Sequence, residues 1–368
     1  MTQKPEVREE AARLLAFFTE AGAQGVDADI LQPAETLLDL YGEDIRARAY
    51  VTSDPLRGEQ MLRPDFTVPV VQMHMKSGAT PARYAYAGEV FRRQEEDTDR
   101  SNEYFQVGYE VFDGADPAAS DAEVFALFQE VLSPLGLRAA TGDIGILMAA
   151  VKGLSTTKRR REALLRHIWR PHRFRALLDR FGGRKPIAPS REKMLASLNA
   201  NSANGLIDSA GKFIGKRSAS EICQRLAAIQ EDANTPAISV GEVEILEQIL
   251  KLREKAPNVV EALRDIAIDL PSIAPAVTQM SKRLDAMAAR GVDVDGLDFE
   301  TSYGRSTMEY YDGFVFGFYI PTRPDLPPLA TGGRYDALTR VLGQGASIPA
   351  VGGVIRPGLT WALKGGTL

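Results

Sequence analysis

Residues Tyr84–Asp113 read YAYAGEVFRRQEEDTDRSNEYFQVGYEVFD. Two runs of alternating apolar and polar residues flank a charged, turn-rich connection over Gln94–Glu103, the pattern of two antiparallel strands joined by a long loop. In the second run Val107, Tyr109 and Val111 share one face and Gln106, Gly108 and Glu110 the other, because side chains alternate along a strand. An amide and a carboxylate leaving the same side of a strand otherwise built for burial allow two readings. One is an edge strand with a wetted face; the other is a small polar pocket on a sheet.

Working outward, Met61–Pro69 reads MLRPDFTVP. It follows a hairpin expected over Tyr50–Leu62, turning at Leu56–Gly58, and Pro69 stands in the first turn of a helix. Pro5–Ala21 carries Val7, Ala11, Leu14, Leu15 and Phe18 at helical spacing and stops at Gly22. Downstream, Ser120–Glu123 has the form of a capping box opening a helix, with Val124, Phe125, Leu127, Phe128, Val131 and Leu132 on its buried side. Leu137–Ile146 reads as a strand and Leu147–Gly153 as the start of a helix. Helical periodicity then dominates to about Val292, clearest over Val240–Leu252 and Ile273–Ala289. A turn cluster at Gly291–Asp298 leads back to strands, with Phe299–Tyr319 and Ala330–Leu342 supplying strands and a final helix. The sum is an α+β chain: a sheet core over 1–153 and 293–368, flanked by helices, with a mainly helical insertion over 154–292.

Composition narrows the function. The 368 residues hold 44 basic and 49 acidic side chains for a net charge of −5, whereas a protein devoted to nucleic acid is more often basic overall. Cys223 is the single cysteine, so no intrachain disulfide forms, as suits a reducing cytoplasm. No apolar run approaches the 18 or so residues of a membrane span. His74, His167 and His172 are too scattered for a zinc site, and no cofactor motif survives inspection. Ser209–Ser218, SAGKFIGKRS, has Ala210 and Arg217 where a phosphate loop needs Gly and Ser or Thr; Gly343–Gly345 lacks the third glycine of a dinucleotide site. Between Thr156 and Lys185 eleven Lys and Arg face two acids. That segment is either a solvated helical face or a docking surface for an acidic or phosphate-bearing partner.

Four blocks, MLRPDFTVP at Met61–Pro69, the Tyr84–Asp113 pair, EYYDGFVF at Glu309–Phe316 and TGGRYDAL at Thr331–Leu338, together resemble the catalytic core of histidyl-tRNA synthetase, a class II synthetase, in order and rough spacing. Ile30-Leu31-Gln32-Pro33 resembles the class II dimer-interface segment, or is a plain strand stopped by proline. The resemblance implies a class II aminoacyl-tRNA synthetase-like antiparallel sheet. It puts Asp65, Thr67 and Gln106 at the ammonium of a bound histidine, Glu110 and Tyr311 at its imidazole, and Tyr310 and Tyr335 along the same pocket. Asp65 stands where the family usually has glutamate, one methylene longer. Arg92 and Arg100 match arginines of the family's second motif, and Arg92 is expected among the residues around the bound histidine.

The cations needed for adenylation fare worse. Where the family has RGLDYY, this chain reads Ser306-Thr307-Met308-Glu309-Tyr310-Tyr311, with serine for the arginine. Where the family's glycine-leucine-glutamate-arginine run clamps ATP, this chain reads Gly358-Leu359-Thr360-Trp361. Arg305 and Arg356 are near in sequence, and Arg305, a strand neighbour of the vacant position, is expected to face away. Losing a transition-state cation costs on the order of 10²–10³ in rate, so the amino-acid reader is expected to outlive the catalyst. With fewer residues after Asp336 than the roughly 50 a domain takes, no anticodon-binding domain is expected. The whole chain is similar to the histidyl-tRNA synthetase-like regulatory subunits of ATP phosphoribosyltransferase. That similarity implies a non-catalytic protein of histidine biosynthesis: a homodimer within a hetero-octamer with the short-form catalytic subunit, binding histidine but neither tRNA nor membrane. The alternative is a reduced class II ligase that still activates an amino acid with ATP.

Overall fold

The computed structural model describes residues 4–35, 49–94, 101–211, 216–305 and 310–366. A nine-stranded sheet forms the centre. Its strands are β1 (Gln24–Gly25), β5 (Ala82–Phe91), β6 (Glu103–Phe112), β12 (Ala350–Ile355), β11 (Ala330–Arg334), β10 (Phe314–Tyr319), β7 (Arg138–Asp143), β9 (Asp298–Glu300) and β8 (Arg253–Lys255), in that spatial order. Pairing is antiparallel except for β1 with β5 and β7 with β9. The expected α+β, mainly antiparallel architecture is therefore present, with two parallel joints. A small second sheet joins β2 (Leu31–Pro33), β4 (Gly58–Leu62) and β3 (Val51–Asp54), the last two being the expected hairpin.

The two faces of the large sheet differ in composition, and that difference places the site. On the face of Tyr109, Phe314, Phe316 and Phe318, rings interdigitate with helices α1 (Lys4–Glu20) and α3 (Pro117–Leu132): Phe18 stacks on Tyr109 with centroids 5.2 Å apart, and Phe128 meets Phe316 edge-on at 5.4 Å. On the opposite face, paired positions bring Gly88, Gly108, Gly142, Gly317, Gly333 and Gly352 to the side of Gln106 and Glu110. A sheet face made of glycines cannot fill itself, so rings from neighbouring strands and loops lie across it. Tyr311 covers Gly333, and Tyr303 covers Gly142 and Gly317.

Two expectations require correction. The helix assigned to a capping box at Ser120 starts a turn earlier, where Asp116 accepts from Ala118 N and Ala119 N and Pro117 occupies the first helical position. The supposed box residues serve tertiary contacts instead: Asp121 meets two arginines, and Glu123 takes Arg83 and the Tyr109 hydroxyl. Strand β12 was not foreseen, although it lies between β6 and β11 at the centre of the sheet; helix α14 (Pro357–Lys364) follows it.

The helical region opens with α5 (Lys158–Arg166), α6 (Pro171–Phe181), α7 (Pro189–Ala200), α8 (Ala203–Ser209), α9 (Ala219–Asn234) and α10 (Val240–Lys251). Four arginines of the basic segment pair with acids of this region. Asp232 receives Arg160 at 2.6 Å and Arg191 at 2.5 Å with Arg180 at 3.8 Å, while Glu247 pairs with Arg175 at 2.5 Å and with Arg184. Residues 212–215 of the rejected phosphate loop lie outside the described residues, and Ser218 caps α9. The chain then returns to the sheet through β8, α11 (Ala256–Asp269) and α12 (Ala274–Ala288), the last packed along α3. Remaining elements are α2 (Thr67–Ser77), α4 (Ile144–Gly153) and α13 (Asp336–Leu342). Among the described residues no helix is long and apolar enough to cross a membrane, and no cluster of three metal-ligating side chains occurs.

A buried ion network pins helices to the aromatic face. Arg283 on α12 donates to Asp121 on α3 at 3.2 Å and to Asp143 at 2.8 Å, and Arg334 on β11 reaches Asp121 at 2.7 Å. All four side chains are buried, and Asp143 also caps α4 through Gly145 N.

Candidate functional site: a polar strip on the glycine face

Glu110 sits near the middle of β6, 1% exposed, and its two oxygens collect three hydroxyls. Tyr86 donates to Oε1 at 2.8 Å, Thr67 to Oε1 at 3.2 Å and Tyr335 to Oε2 at 2.6 Å. A carboxylate offers about four acceptor positions, so one remains. Burial pushes the Glu110 carboxyl up to about 7, against the pull of the three hydroxyls and with a push from nearby Asp65. Burial likewise raises the Tyr311 phenol, whose next largest influence is the charge of Glu110.

Glycine makes this cluster possible. A Cβ on Gly108 would stand 2.2 Å from the Tyr86 ring, which lies across that position to reach Glu110. On the other side, a Cβ on Gly352 would stand 1.5 Å from Glu110 Oε2. Next along this row is Gly333, beneath Tyr311, so Glu110 and Tyr311 face the same space. Gly352→Ala is expected to destabilise the fold by about 1–3 kcal/mol through overpacking and to disturb Glu110. Gly241→Ala on α10, where an added Cβ meets nothing, should be neutral or stabilising by roughly 0.5–1 kcal/mol. Thermal melts of the two variants check the contrast.

The loop before α2 closes one side. Phe66 stacks on Tyr86 with centroids 4.5 Å apart, and Arg63 lies over Phe66 at 3.9 Å while donating to Glu89 O at 2.8 Å. This packing holds Asp65 and Thr67, both buried, against the strip. Arg92 donates to Pro64 O at 2.7 Å and has its guanidinium 3.7 Å from Asp65. Tyr310 and Tyr311 meet edge-on at 4.8 Å, and Tyr310 lies 6.2 Å from the Tyr335 ring. Gln106 is 1% exposed, and its Oε1 finds no hydrogen-bond partner among the described residues.

Thus Asp65, Thr67, Arg92, Gln106, Glu110, Tyr310, Tyr311 and Tyr335 converge on one face. Tyr86, which the sequence reading did not select, is their central hydroxyl donor; the one available signal was the glycine at position 108, opposite it. Ser306 and Arg100 lie outside the described residues, and Trp361 is half-buried on α14. Of the two nearby arginines, Arg305 is turned into the helical region, donating to Ile168 O at 2.7 Å and lying over Phe174 at 4.9 Å; burial pushes it down to about 10. Arg356 instead follows the last residue of β12 on the face of Gln106, so the sequence comparison undercounted the cations on this face. The indole of Trp169 donates to Tyr311 O at 3.1 Å, tying the helical region to the strip. An open cleft of about 500 Å³ lies elsewhere, between Leu137, Lys255 and Asp298.

A family model described as histidyl-tRNA synthetase matches residues 2–241 and 230–357. An ATP phosphoribosyltransferase regulatory subunit of Agrobacterium fabrum (strain C58 / ATCC 33970) is 31% identical over 361 residues, 94% of this chain and 94% of that one. One of Brucella canis is 31% identical over 344 residues, 90% of each. Two solved structures share the fold. An ATP phosphoribosyltransferase regulatory subunit/histidyl-tRNA synthetase from Bacillus halodurans C has a TM-score of 0.66 at 20% identity, covering 98% of this chain and 79% of that one. Histidyl-tRNA synthetase from Nostoc sp. PCC 7120 has 0.63 at 15%, covering 99% and 73%.

Proposed function

Because the chain belongs to the histidyl-tRNA synthetase family and is similar over nearly its whole length to ATP phosphoribosyltransferase regulatory subunits, we propose that it is such a subunit in histidine biosynthesis, without catalysis of its own. It assembles as a homodimer within a hetero-octamer in the cytoplasm, is required by the short-form catalytic subunit, and passes histidine feedback to it. The observation that carries this reading is the intact strip of Glu110, Gln106, Asp65 and Tyr311, in a chain whose sequence has Trp361 at the family's nucleotide-clamping position. Here Glu110 and Tyr311 read the imidazole, with Asp65, Thr67 and Gln106 at the ammonium and Tyr310 and Tyr335 along the wall. Feedback then requires histidine to favour one state of the assembly, since only a difference in affinity shifts an equilibrium. Trp169 joins Tyr311 to the helical region and gives such a difference a physical route out of the pocket.

Two experiments test it. Co-purification with a short-form catalytic subunit should yield activity that histidine inhibits; a complex equally active without this chain, or indifferent to histidine, overturns the reading. One observation favours the second reading, a reduced ligase: Arg356 restores a cation to the strip. Histidine-dependent exchange of pyrophosphate into ATP would establish that alternative, and no exchange is the expected result.

A further inference from the structure

One corner of the helical region carries cations and no acids of its own. Between Ala163 and Leu178, across the turn from α5 to α6, stand Arg166, Arg170, Arg173 and Arg175 with no aspartate or glutamate. Arg175 turns to Glu247. A helix advances about 100° per residue, so Arg173 leaves α6 on the other flank of buried Phe174. By the same spacing Arg166 leaves the end of α5 on the side away from buried Leu164. Both side chains are exposed, and among the described residues neither enters an ion pair. A third cation lies beneath the turn. Arg305 Nε donates to Ile168 O at 2.7 Å, its guanidinium lies over Phe174, and its Nη2 is buried with no hydrogen-bond partner and no acid beside it. A buried guanidinium without a counter-charge is costly, and an acid brought near it offsets that cost. Trp169, in the same turn, donates to Tyr311 O. A charge that settles on this corner therefore acts on a turn bonded directly to the strip.

We propose that the α5–α6 corner, through Arg166 and Arg173, docks an acidic segment of the catalytic partner. The assignment rests on the regulatory-subunit reading and gives that reading a surface. A guanidinium pairs with a carboxylate through two parallel hydrogen bonds, so two exposed arginines suit a few carboxylates on a protein. An extended polyanion such as nucleic acid fits less well, because it would have to lie along a chain whose net charge is −5. The tie from Trp169 to Tyr311 makes this corner a contact that a ligand on the strip can strengthen or weaken.

Affinity of the full chain for a short-form catalytic subunit, measured at low and moderate salt, tests this. The wild-type association should weaken as salt rises, and the double variant Arg166→Glu/Arg173→Glu should bind roughly tenfold or more weakly, since like charges across an interface repel. Arg166→Lys/Arg173→Lys, which keeps the charge, should retain most of the affinity. A charge-matched control, Lys282→Glu/Arg340→Glu, reverses exposed cations on α12 and α13 and should stay within about twofold of the wild type. Thermal melts establish that all three variants fold. If the wild-type chain does not associate at all, the regulatory-subunit reading fails and this proposal with it. If the wild type associates and reversal at Arg166 and Arg173 does no more than the control, the corner is not the docking surface while the reading stands. If reversal spares the catalytic subunit but abolishes a gel shift with RNA at moderate salt, the occupant is nucleic acid and the proposal is overturned.

Discussion

Arg283→Met is expected to lower the stability of the fold by about 3–5 kcal/mol, the cost of removing one partner from a buried ion network. The guanidinium of Arg283 is the bridge between Asp121 and Asp143, which are 1% and 5% exposed; without it, Asp143 loses its cation and Asp121 keeps only Arg334. Methionine keeps an apolar stem in place of the arginine's, but it lacks the guanidinium that lies over Phe314 at 4.4 Å and leaves the acids uncompensated. Arg323→Met, breaking the exposed pair with Asp325, should change stability by less than about 1 kcal/mol. Thermal melts side by side read the contrast, and equal midpoints would mean that the network holds nothing together.

Glu110→Gln is expected to weaken histidine binding by about thirty- to 150-fold, since a hydrogen bond from the ligand ring to a charged acceptor is worth roughly 2–3 kcal/mol. Its effect on stability should run the other way. In the folded protein Glu110 titrates at about 7, above the 4.5 of an exposed glutamate. The folded state therefore binds this proton more tightly, and Glu110's contribution to stability is fully present below pH 4.5 and is lost as pH rises through 7. Replacing it with a neutral amide removes that loss, so the variant should gain on the wild type at pH 8 relative to pH 5. Binding has its own pH dependence. An imidazole N–H needs the ionised carboxylate, so histidine affinity should fall as pH drops below about 7, by up to tenfold per unit. The ligand's ring, with a pKa of about 6.5, titrates in the same window; whatever dependence persists in Glu110→Gln belongs to the ligand. Titrations at several pH values that show no difference in slope between wild type and variant would remove Glu110 from the ring's partners.

Much of this site was legible because its parts are local. Alternation alone puts Gln106 and Glu110 on one side of β6, and the short MLRPDFTVP segment keeps Asp65 and Thr67 within reach of each other. Tyr86 and Arg356 were not legible in the same way. Each matters for what stands beside it on the next strand, Gly108 for one and Gln106 for the other, and a single sequence does not carry the register between strands. The capping box at Ser120 misled for a related reason: its residue types fit a helix start, yet Asp116 offered a cap one turn earlier and released Asp121 and Glu123 for tertiary partners.

The amino-acid sequence by itself determined the alternating strands, the helical stretch after Thr156, the family likeness and the residue types of an amino-acid reader. Periodicity and motif chemistry are properties of neighbours along the chain, which any reader of the string can see. Only the tertiary structure decided that β12 inserts between β6 and β11, that six glycines share the site's face, and that four arginines of the basic segment turn toward Asp232 and Glu247. It also decided that Arg356 joins the strip while Arg305 turns away. The physical reason is that burial and charge pairing depend on which distant segments meet. Glu110, for example, owes its raised proton affinity to a desolvated space enclosed by residues as far off in sequence as Thr67 and Tyr335.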